Sequence, residues 1–285
     1  MTDISCGLRA RLLLEKQGFR AAHSLGQNFL FDEGLLEKLI DLAGVEQGDE
    51  VLEIGPGAGI MTALLARRAG RVVAVEIDRA LLPVLEGMLE GVDNARVVFA
   101  DVRKVALEEL VQPGARVVAN LPYYVTAEAI ERLLLSRLRL KSVALMLQKE
   151  AAQRLMSAPG DKNWCALAAM TQYFGRPRIM CEVPPEAFEP APHVQSAFLR
   201  IDLYVQKPVQ PADEAVFLRV IAAAFAMRRK TLQNNLRAAF SLKAEEAAAL
   251  LEEAGIPARA RGEALTLEEL ARLSDAIKTA KNEFL

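Results

Sequence analysis

Residues 49–60 read DEVLEIGPGAGI, and a helical pattern of apolar residues at Met61, Leu64 and Leu65 follows at once. The segment therefore runs from an apolar strand, through a turn with three glycines, into a helix. Glycines let the backbone turn sharply and approach a ligand without a Cβ between them. A helix that begins there directs free backbone N–H groups into the turn. The pattern is typical of a nucleotide-like cofactor site, with a purely structural strand–helix turn as the alternative at this point.

The glycine spacing differs from that of dinucleotide-binding proteins. Their fingerprint is G-x-G-x-x-G after a strand, whereas this turn reads G-x-G-x-G and has Ile60 at the position of the last glycine. Pro56 also removes one backbone donor from the turn. The spacing disfavours an NAD-type oxidoreductase, and no acid or base suited to hydride transfer occurs near the predicted strand ends.

Length and composition set broad limits. The chain has 285 residues, of which 52% are hydrophobic and 25% charged, with a formal net charge of -2. It has room for one large and one small domain, and its bulk charge argues against coating nucleic acid. We find no apolar run of about 18 residues and no secretion signal, which predicts a cytosolic protein. The cysteines lack metal-ligand spacing, so no metal is expected. They are Cys6, Cys165 and Cys181.

Apolar runs alternating with helical patterns predict a mainly parallel sheet that is covered on both faces. The last two strands lack a helix between them, which predicts an antiparallel pair. The predicted strands are 51–54, 71–75, 96–100, 116–119, 142–148, 178–183 and 195–204. A linker at 205–211 then leads into residues with only helical patterning. We therefore predict one domain over residues 1–206 and a helical domain over residues 207–285.

Four unusual groups follow predicted strands, namely Gly55, Glu76, Asp101 and Asn120. Ligands of open parallel sheets bind beyond the carboxyl ends of the strands. Glu76 follows Gly55 by 21 residues, the spacing at which an acid meets ribose hydroxyls in nucleotide-binding folds. Asp101 suits the exocyclic amine of an adenine, because a carboxylate accepts hydrogen bonds. Either acid alone could simply cap the next helix.

Residues 120–123 read Asn-Leu-Pro-Tyr at a strand's carboxyl end. The Asn120 side-chain oxygen and a nearby carbonyl can accept both N–H bonds of a planar amine, while Tyr123 offers a stacking face. Such acceptors, placed off the ring plane, favour a more tetrahedral nitrogen whose lone pair can attack an electrophile. A structural Asn-Leu-Pro turn is the alternative.

These motifs together resemble the ribosomal RNA adenine N6-dimethyltransferases, in order and over nearly the whole chain. The matching segments are 26–30, 53–59, 76–78, 100–101, 120–123 and the F-x-P-x-P-x-V-x-S loop at 188–196. The resemblance implies a Rossmann-like class I methyltransferase sheet of seven strands, the last antiparallel, with a small all-helical C-terminal domain. It implies S-adenosyl-L-methionine contacts at Asn28, Leu30, Gly55, Gly57, Glu76, Asp101 and Asn120. Catalytic positions are implied at Asn120, Leu121, Pro122, Tyr123 and Phe188, with Tyr123 and Phe188 flanking the target adenine.

Segments 228–236 and 261–266 look like the housekeeping small-subunit branch of this family. That branch implies transfer of methyl groups to two adjacent adenines of the 3′-terminal hairpin of 16S rRNA, within a precursor 30S subunit. The alternatives are an Erm-type 23S rRNA enzyme and a non-catalytic RNA-binding assembly factor with the same fold. The sequence predicts no membrane association, no bound metal and a monomer.

Two basic clusters are candidates for gripping RNA phosphates, with a solvated helix face as the alternative for each. The first comprises Arg9, Arg11, Lys16 and Arg20, and the second comprises Arg228, Arg229, Lys230 and Arg237. The sequence departs from the family at Ala21, Ala22 and His23, where basic residues are usual, and at His193. These departures concern RNA contacts and leave the cofactor residues intact. We expect both histidines to be solvated loop residues and not catalysts.

Overall fold

The computed structural model describes residues 4–21, 26–122 and 125–283. The chain divides into two compact units. The first contains residues up to Ala152 together with Arg176–Leu203, and the second contains Gln153–Gly175 together with the residues from Tyr204 onward. Residues 153–175 thus group with the C-terminal part although they precede the predicted domain boundary at 206, and that boundary stays a prediction.

A mixed seven-stranded sheet forms the centre of the first unit, and a two-stranded sheet lies in the same unit. In chain order the strands are β1 (Phe29–Leu30), β2 (Glu50–Ile54), β3 (Arg71–Glu76), β4 (Ala95–Phe99), β5 (Arg116–Asn120), β6 (Ser142–Gln148), β7 (Gly175–Val183), β8 (Phe188–Glu189) and β9 (Ser196–Leu203). The large sheet has the order β4-β3-β2-β5-β6-β9-β7.

Strand direction follows from the connections. Strands β2 to β6 pair in parallel, since helices or long loops cross between them, and Leu52 lies opposite both Val73 and Val117. Strand β9 pairs antiparallel with β6, and Leu145 faces Leu199. The central strands are apolar on both faces because helices cover both sides of the sheet. The predicted Rossmann-like sheet of seven strands with an antiparallel last strand is confirmed.

The described part of the chain has eleven α-helices. They are α1 (Cys6–Lys16), α2 (Glu33–Ala43), α3 (Ile60–Arg68), α4 (Leu82–Met88), α5 (Thr126–Leu135), α6 (Lys149–Leu155), α7 (Ala166–Phe174), α8 (Glu214–Ala226), α9 (Leu232–Phe240), α10 (Ala244–Glu253) and α11 (Leu267–Glu283). Helix α1 ends at Lys16, two residues before Gly18, whose φ of 58° takes the chain out of the helix. Across the described ranges, no helix is both long and apolar enough to cross a membrane.

The second unit is helical and has its own core. Helix α7 belongs to it together with α8 to α11. The Trp164 indole is buried and donates to the Leu265 carbonyl oxygen at 3.1 Å. The buried Asn235 amide nitrogen donates to the Ala224 oxygen at 3.1 Å, so both side-chain donors have a backbone acceptor inside the core.

The two-stranded sheet is a feature that the sequence analysis missed. Strand β1 lies in segment 26–30, where no strand was predicted, and it pairs antiparallel with β8 from the 188–196 loop. Phe29 faces Glu189, and Leu30 faces Phe188. The pairing joins two distant segments that both carry predicted site residues.

Candidate active site

A cavity of about 320 Å³ lies at the carboxyl ends of strands β2, β3, β4 and β5. Its position is the one expected for a ligand of an open parallel sheet. Ten residues singled out from the sequence line it: Asn28, Leu30, Gly55, Gly57, Glu76, Asp101, Asn120, Leu121, Pro122 and Phe188. The predicted Tyr123 lies outside the described residues.

The glycine turn after β2 leaves no space for side chains. Gly55 and Gly57 have φ values of 75° and 55°, a left-handed region that other residues rarely adopt. A Cβ on Gly55 would lie 3.1 Å from the backbone oxygen of Asn120. A Cβ on Gly57 would lie 3.1 Å from the Phe29 ring. The glycines therefore keep the turn close to both the Asn120 loop and the β1 segment.

Glu76 ends strand β3, and its carboxylate is buried among backbone donors. Oε1 accepts from the N–H groups of Ile77 at 2.9 Å and Asp78 at 2.8 Å. Oε2 accepts from Gly57 N–H at 3.2 Å. Burial raises the pKa of Glu76, and these three hydrogen bonds oppose the rise because they favour the charged form. The carboxylate is thereby fixed next to the glycine turn.

Glu53 also lines the cavity, and the sequence analysis did not propose it as a site residue. It is only 2% exposed, and its Oε2 atom has no hydrogen-bond partner among the described residues. Burial raises the pKa of Glu53 to about 8, with a further upward contribution from the charge of Glu76 and a downward one from the Thr62 hydroxyl. Glu53 could have been identified from the sequence, because it is an acidic residue inside an apolar strand that leads into the glycines.

Asp101 is held by an arginine that the sequence analysis also missed. Arg103 Nε donates to both carboxylate oxygens, at 2.9 and 3.2 Å, and Nη2 donates to Oδ2 at 2.7 Å. These bonds lower the pKa of Asp101 to about 2, so it is an ionised acceptor at neutral pH. Arg132 on α5 donates to the backbone oxygens of Arg103 and Val105 and so supports this loop.

Asn120 ends strand β5 and reaches the segment before β1. Its Nδ2 donates to the Asn28 carbonyl oxygen at 3.4 Å, while Asn28 Nδ2 donates to the Gly26 oxygen at 3.2 Å. Because the amide nitrogen is used in this way, the Asn120 side-chain oxygen is oriented away from the Asn28 carbonyl. Gln27 donates to Asp78 Oδ2 at 2.7 Å, which ties the same segment to the end of β3.

Leu121, Pro122 and Phe188 complete the other side of the cavity. Leu121 and Phe188 are almost fully buried, with 5% exposure each. The Pro122 carbonyl accepts from Val125 N–H at 3.1 Å and from the Thr126 hydroxyl at 3.2 Å, which fixes the turn into α5. Phe188 reaches the cavity from β8, opposite Leu30 of β1.

The second basic cluster lies in the second unit and not at this cavity. Arg228, Arg229 and Lys230 follow α8 and are exposed. Arg228 donates to the Lys162 carbonyl oxygen at 2.6 Å and lies 3.4 Å from Glu263 Oε2. Arg228 thus has structural partners within its own unit. The exposed His193 is outside the cavity lining, and no cluster of potential metal ligands occurs among the described residues.

Known proteins resemble this chain in sequence. A family model described as ribosomal RNA adenine dimethylase matches residues 18–278. A ribosomal RNA small subunit methyltransferase A from Geobacillus sp. (strain WCH70) is 43% identical, over 97% of this chain and 98% of that protein. The protein of the same name from Shouchella clausii (strain KSM-K16) is 41% identical, over 96% of each chain.

Two solved structures show the same architecture. A dimethyladenosine transferase from Plasmodium falciparum has a TM-score of 0.75 and 23% identity, covering 90% of this chain and 98% of the other. The 23S rRNA methyltransferase ErmE has a TM-score of 0.66 and 25% identity, covering 88% of this chain and all of the other.

The sheet order, the antiparallel β9 and a cavity at the glycine turn define a class I methyltransferase. Within that class, the match over residues 18–278 and the relatives above 40% identity are decisive. The chain belongs to the ribosomal RNA adenine dimethylase family. Its relatives carry the small-subunit name, so the branch expected from the sequence is confirmed and the Erm-type alternative is not favoured.

Proposed function

We propose that this enzyme transfers methyl groups from S-adenosylmethionine to N6 of two adjacent adenines in the 3′-terminal hairpin of 16S rRNA. The observation that carries the proposal is the convergence of ten sequence-predicted residues on one cavity. The small-subunit name of the relatives supports the choice of RNA. We further propose that it acts as a cytoplasmic monomer on a precursor 30S subunit.

The cavity has the features that this cofactor needs. At the glycine turn an added Cβ would lie 3.1 Å from the Asn120 backbone oxygen or from the Phe29 ring, so glycine is what lets the backbone lie this close to the cavity wall. The fixed Glu76 carboxylate offers Oε2, which accepts only one backbone N–H, to a ribose hydroxyl. Asp101, held ionised by Arg103, suits the adenine amine. When bound, S-adenosylmethionine supplies an electrophilic methyl group on a sulfonium. Asn28 and Leu30 would close the pocket from the β1 segment.

Asn120 would act on the target amine. Its amide nitrogen is engaged by Asn28, which leaves the side-chain oxygen to accept an N–H from adenine N6. The acceptor withdraws the nitrogen lone pair from the ring and directs it into the cavity, which stabilises the transition state more than the ground state. Leu121 and Pro122 shape the turn. Phe188, together with Tyr123, would hold the base that leaves its stack.

No strong base is needed in this scheme, because the methylated amine loses its proton readily. The chain's contribution is orientation, desolvation by the buried Leu121 and Phe188, and an acceptor at the nitrogen. The exposed basic residues of the second unit, Arg229 and Lys230 above all, would hold phosphates. Such binding weakens as salt is added, because phosphate neutralisation releases counterions.

The test is label transfer from methyl-labelled S-adenosylmethionine to precursor 30S particles, followed by mapping of dimethyladenosine. We expect label at two adjacent adenines near the 3′ end of 16S rRNA. Particles carrying 23S rRNA are the matched control, since an Erm-type enzyme would label those instead. Cofactor binding without any transfer would support the non-catalytic assembly factor and overturn the proposal.

A further inference from the structure

We propose that Arg11 is a positioning residue that holds Phe188 in place. Charge alone had placed Arg11 in the first basic cluster, as a candidate for binding RNA phosphates. The inference rests on the proposed function, in which Phe188 flanks the target base. Arg11 lies on α1, and its Nη1 is 2.6 Å from Oε2 of Glu189, the residue after Phe188. Its guanidinium carbon also lies 3.9 Å from the centroid of the Phe31 ring.

These two contacts connect both strands of the small sheet to α1. Phe31 directly follows β1, and Glu189 is the second residue of β8. Arg11 therefore contacts the chain on each side of the β1–β8 pair, with an ion pair on one side and a cation–π contact on the other.

The small sheet has little backbone pairing of its own, because its strands have two residues each. Phe29, Leu30 and Phe188 are buried in the hydrophobic core, so apolar packing and side-chain contacts hold the pair. Phe188 faces Leu30 across the pair, so a shift of β8 would move its ring in the cavity. On its N-terminal side, Phe188 directly follows the short turn at 185–187. Arg11 supplies a side-chain attachment at the residue next to the ring.

The other basic residues of α1 provide the contrast. Arg9 donates to the Gly87 carbonyl oxygen at 2.5 Å and lies 3.5 Å from Glu90, which attaches α1 to the end of α4. Lys16, in the last turn of the same helix, is exposed. A phosphate contact requires an available cation, whereas Arg11 already has a carboxylate and a ring as partners. The two roles predict opposite effects of removing Glu189.

A double-mutant cycle separates the two roles. The variants are Arg11→Gln, Glu189→Gln, the double variant and the charge-swapped pair Arg11→Glu with Glu189→Arg. We expect Arg11→Gln to lower kcat/KM about fivefold and Glu189→Gln about threefold, since exposed ion pairs and cation–π contacts are individually modest. The double variant should be no worse than Arg11→Gln. The swapped pair should recover only the part of the activity that the ion pair supplies, because a glutamate cannot replace the cation–π contact with Phe31.

The matched control is Lys16→Gln, which removes the same charge from the same helix. RNA affinity is measured at several salt concentrations beside kcat at saturating RNA. We expect Arg11→Gln to lower kcat with an unchanged salt slope. Equal effects of Arg11→Gln and Lys16→Gln, or tighter RNA binding and full turnover in Glu189→Gln, would overturn the inference. Wild-type protein that transfers no methyl group would instead overturn the proposed function.

Discussion

Glu76, on the proposed cofactor side of the cavity, receives three backbone N–H donors from its own strand end and the neighbouring glycine turn. Phe188, on the proposed target side, reaches the cavity through a two-residue strand that pairs with a segment from the beginning of the chain. The first arrangement follows from adjacent parallel strands. The second depends on long-range pairing and on side-chain contacts.

This difference has a physical consequence for the two sides. Backbone hydrogen bonds to a buried carboxylate fix its position before any ligand binds, so the cofactor side is preorganised. The proposed target side is held by apolar packing and by strands of only two residues each, so it can adjust with the loss of fewer backbone hydrogen bonds. A base that must leave its stack is accommodated more easily by the adjustable side.

The largest effect is expected at Asn120, where the two sides meet. Asn120→Ala removes the oxygen acceptor for the target amine and should lower methyl transfer about 100-fold or more. RNA binding should persist, because the proposed phosphate contacts, Arg229 and Lys230, belong to the second unit. Single-turnover methylation and RNA binding measured on the same preparation check this.

Asn120→Asp is the matched control. It keeps oxygen acceptors but loses the Nδ2 donor to the Asn28 carbonyl. Activity in Asn120→Asp well above that of Asn120→Ala would assign the effect to the acceptor. Normal turnover in Asn120→Ala would show that its assigned role is wrong.

Glu53, on the preorganised side, should make the free energy of unfolding depend on pH. Its folded-state pKa of about 8 exceeds the ordinary value of 4.5, so the folded protein holds a proton that the unfolded chain releases. This contribution to stability is fully present below about pH 4.5 and is lost as the pH rises through 8. Glu53→Gln should therefore gain stability relative to wild type as the pH rises from 4.5, by roughly 4 kcal/mol at pH 8.

Urea unfolding of both proteins at pH 5, 7 and 8, without cofactor, measures this difference. Titrating groups that do not interact with Glu53 cancel in the comparison between the two proteins, whereas Glu76, whose charge contributes to the raised pKa of Glu53, does not. A stability difference that stays constant over this range would contradict the raised pKa of Glu53.

Glu76→Ala tests the preorganised carboxylate directly. Loss of its charge-assisted hydrogen bonds to the ribose should weaken cofactor binding by about 1–3 kcal/mol. Calorimetry with S-adenosylmethionine measures the change. The control is Glu90→Ala, because Glu90 is exposed on the surface and lies outside the cavity lining. Unaltered cofactor affinity in Glu76→Ala would refute the ribose assignment.

The smallest effect is expected away from both sides of the cavity. Replacing Arg229 and Lys230 by Gln should weaken RNA binding and reduce the magnitude of its salt slope by about 1–2, since each phosphate contact contributes roughly 0.7–0.9. Cofactor affinity should not change. Arg228→Gln is the comparison, because that side chain is already bonded to the Lys162 carbonyl. Identical salt slopes for wild type and the double variant would show that these residues are solvated surface residues and not phosphate contacts.

The sequence was informative where the structure is local. The seven strands of the large sheet and the residues at their carboxyl ends are predictable, because apolar runs, glycines and polar strand ends are adjacent in the chain. The ten cavity residues came partly from this pattern and partly from the family resemblance. Their positions in the structure agree with both sources.

The features that the sequence did not reveal depend on distant partners. Strand β1 was missed because two residues carry no periodicity, and only β8 makes them a strand. Arg103 was missed because its role depends on how the loop after β4 folds back to Asp101. Arg11 looked like a phosphate contact because charge patterning does not identify an acidic partner far away in the sequence.

The place of β9 in the sheet has a consequence for synthesis on the ribosome. Strand β9 lies between β6 and β7, although it is the last of the seven strands to be made. Strands β2 to β6 can pair as they emerge, so the glycine turn and Glu76 can assemble on a growing chain. Strand β7 has no neighbour within that sheet until Ser196–Leu203 has been synthesised. We therefore expect nascent chains that end before β9 to leave the edge of β6 unpaired and open to wrong partners.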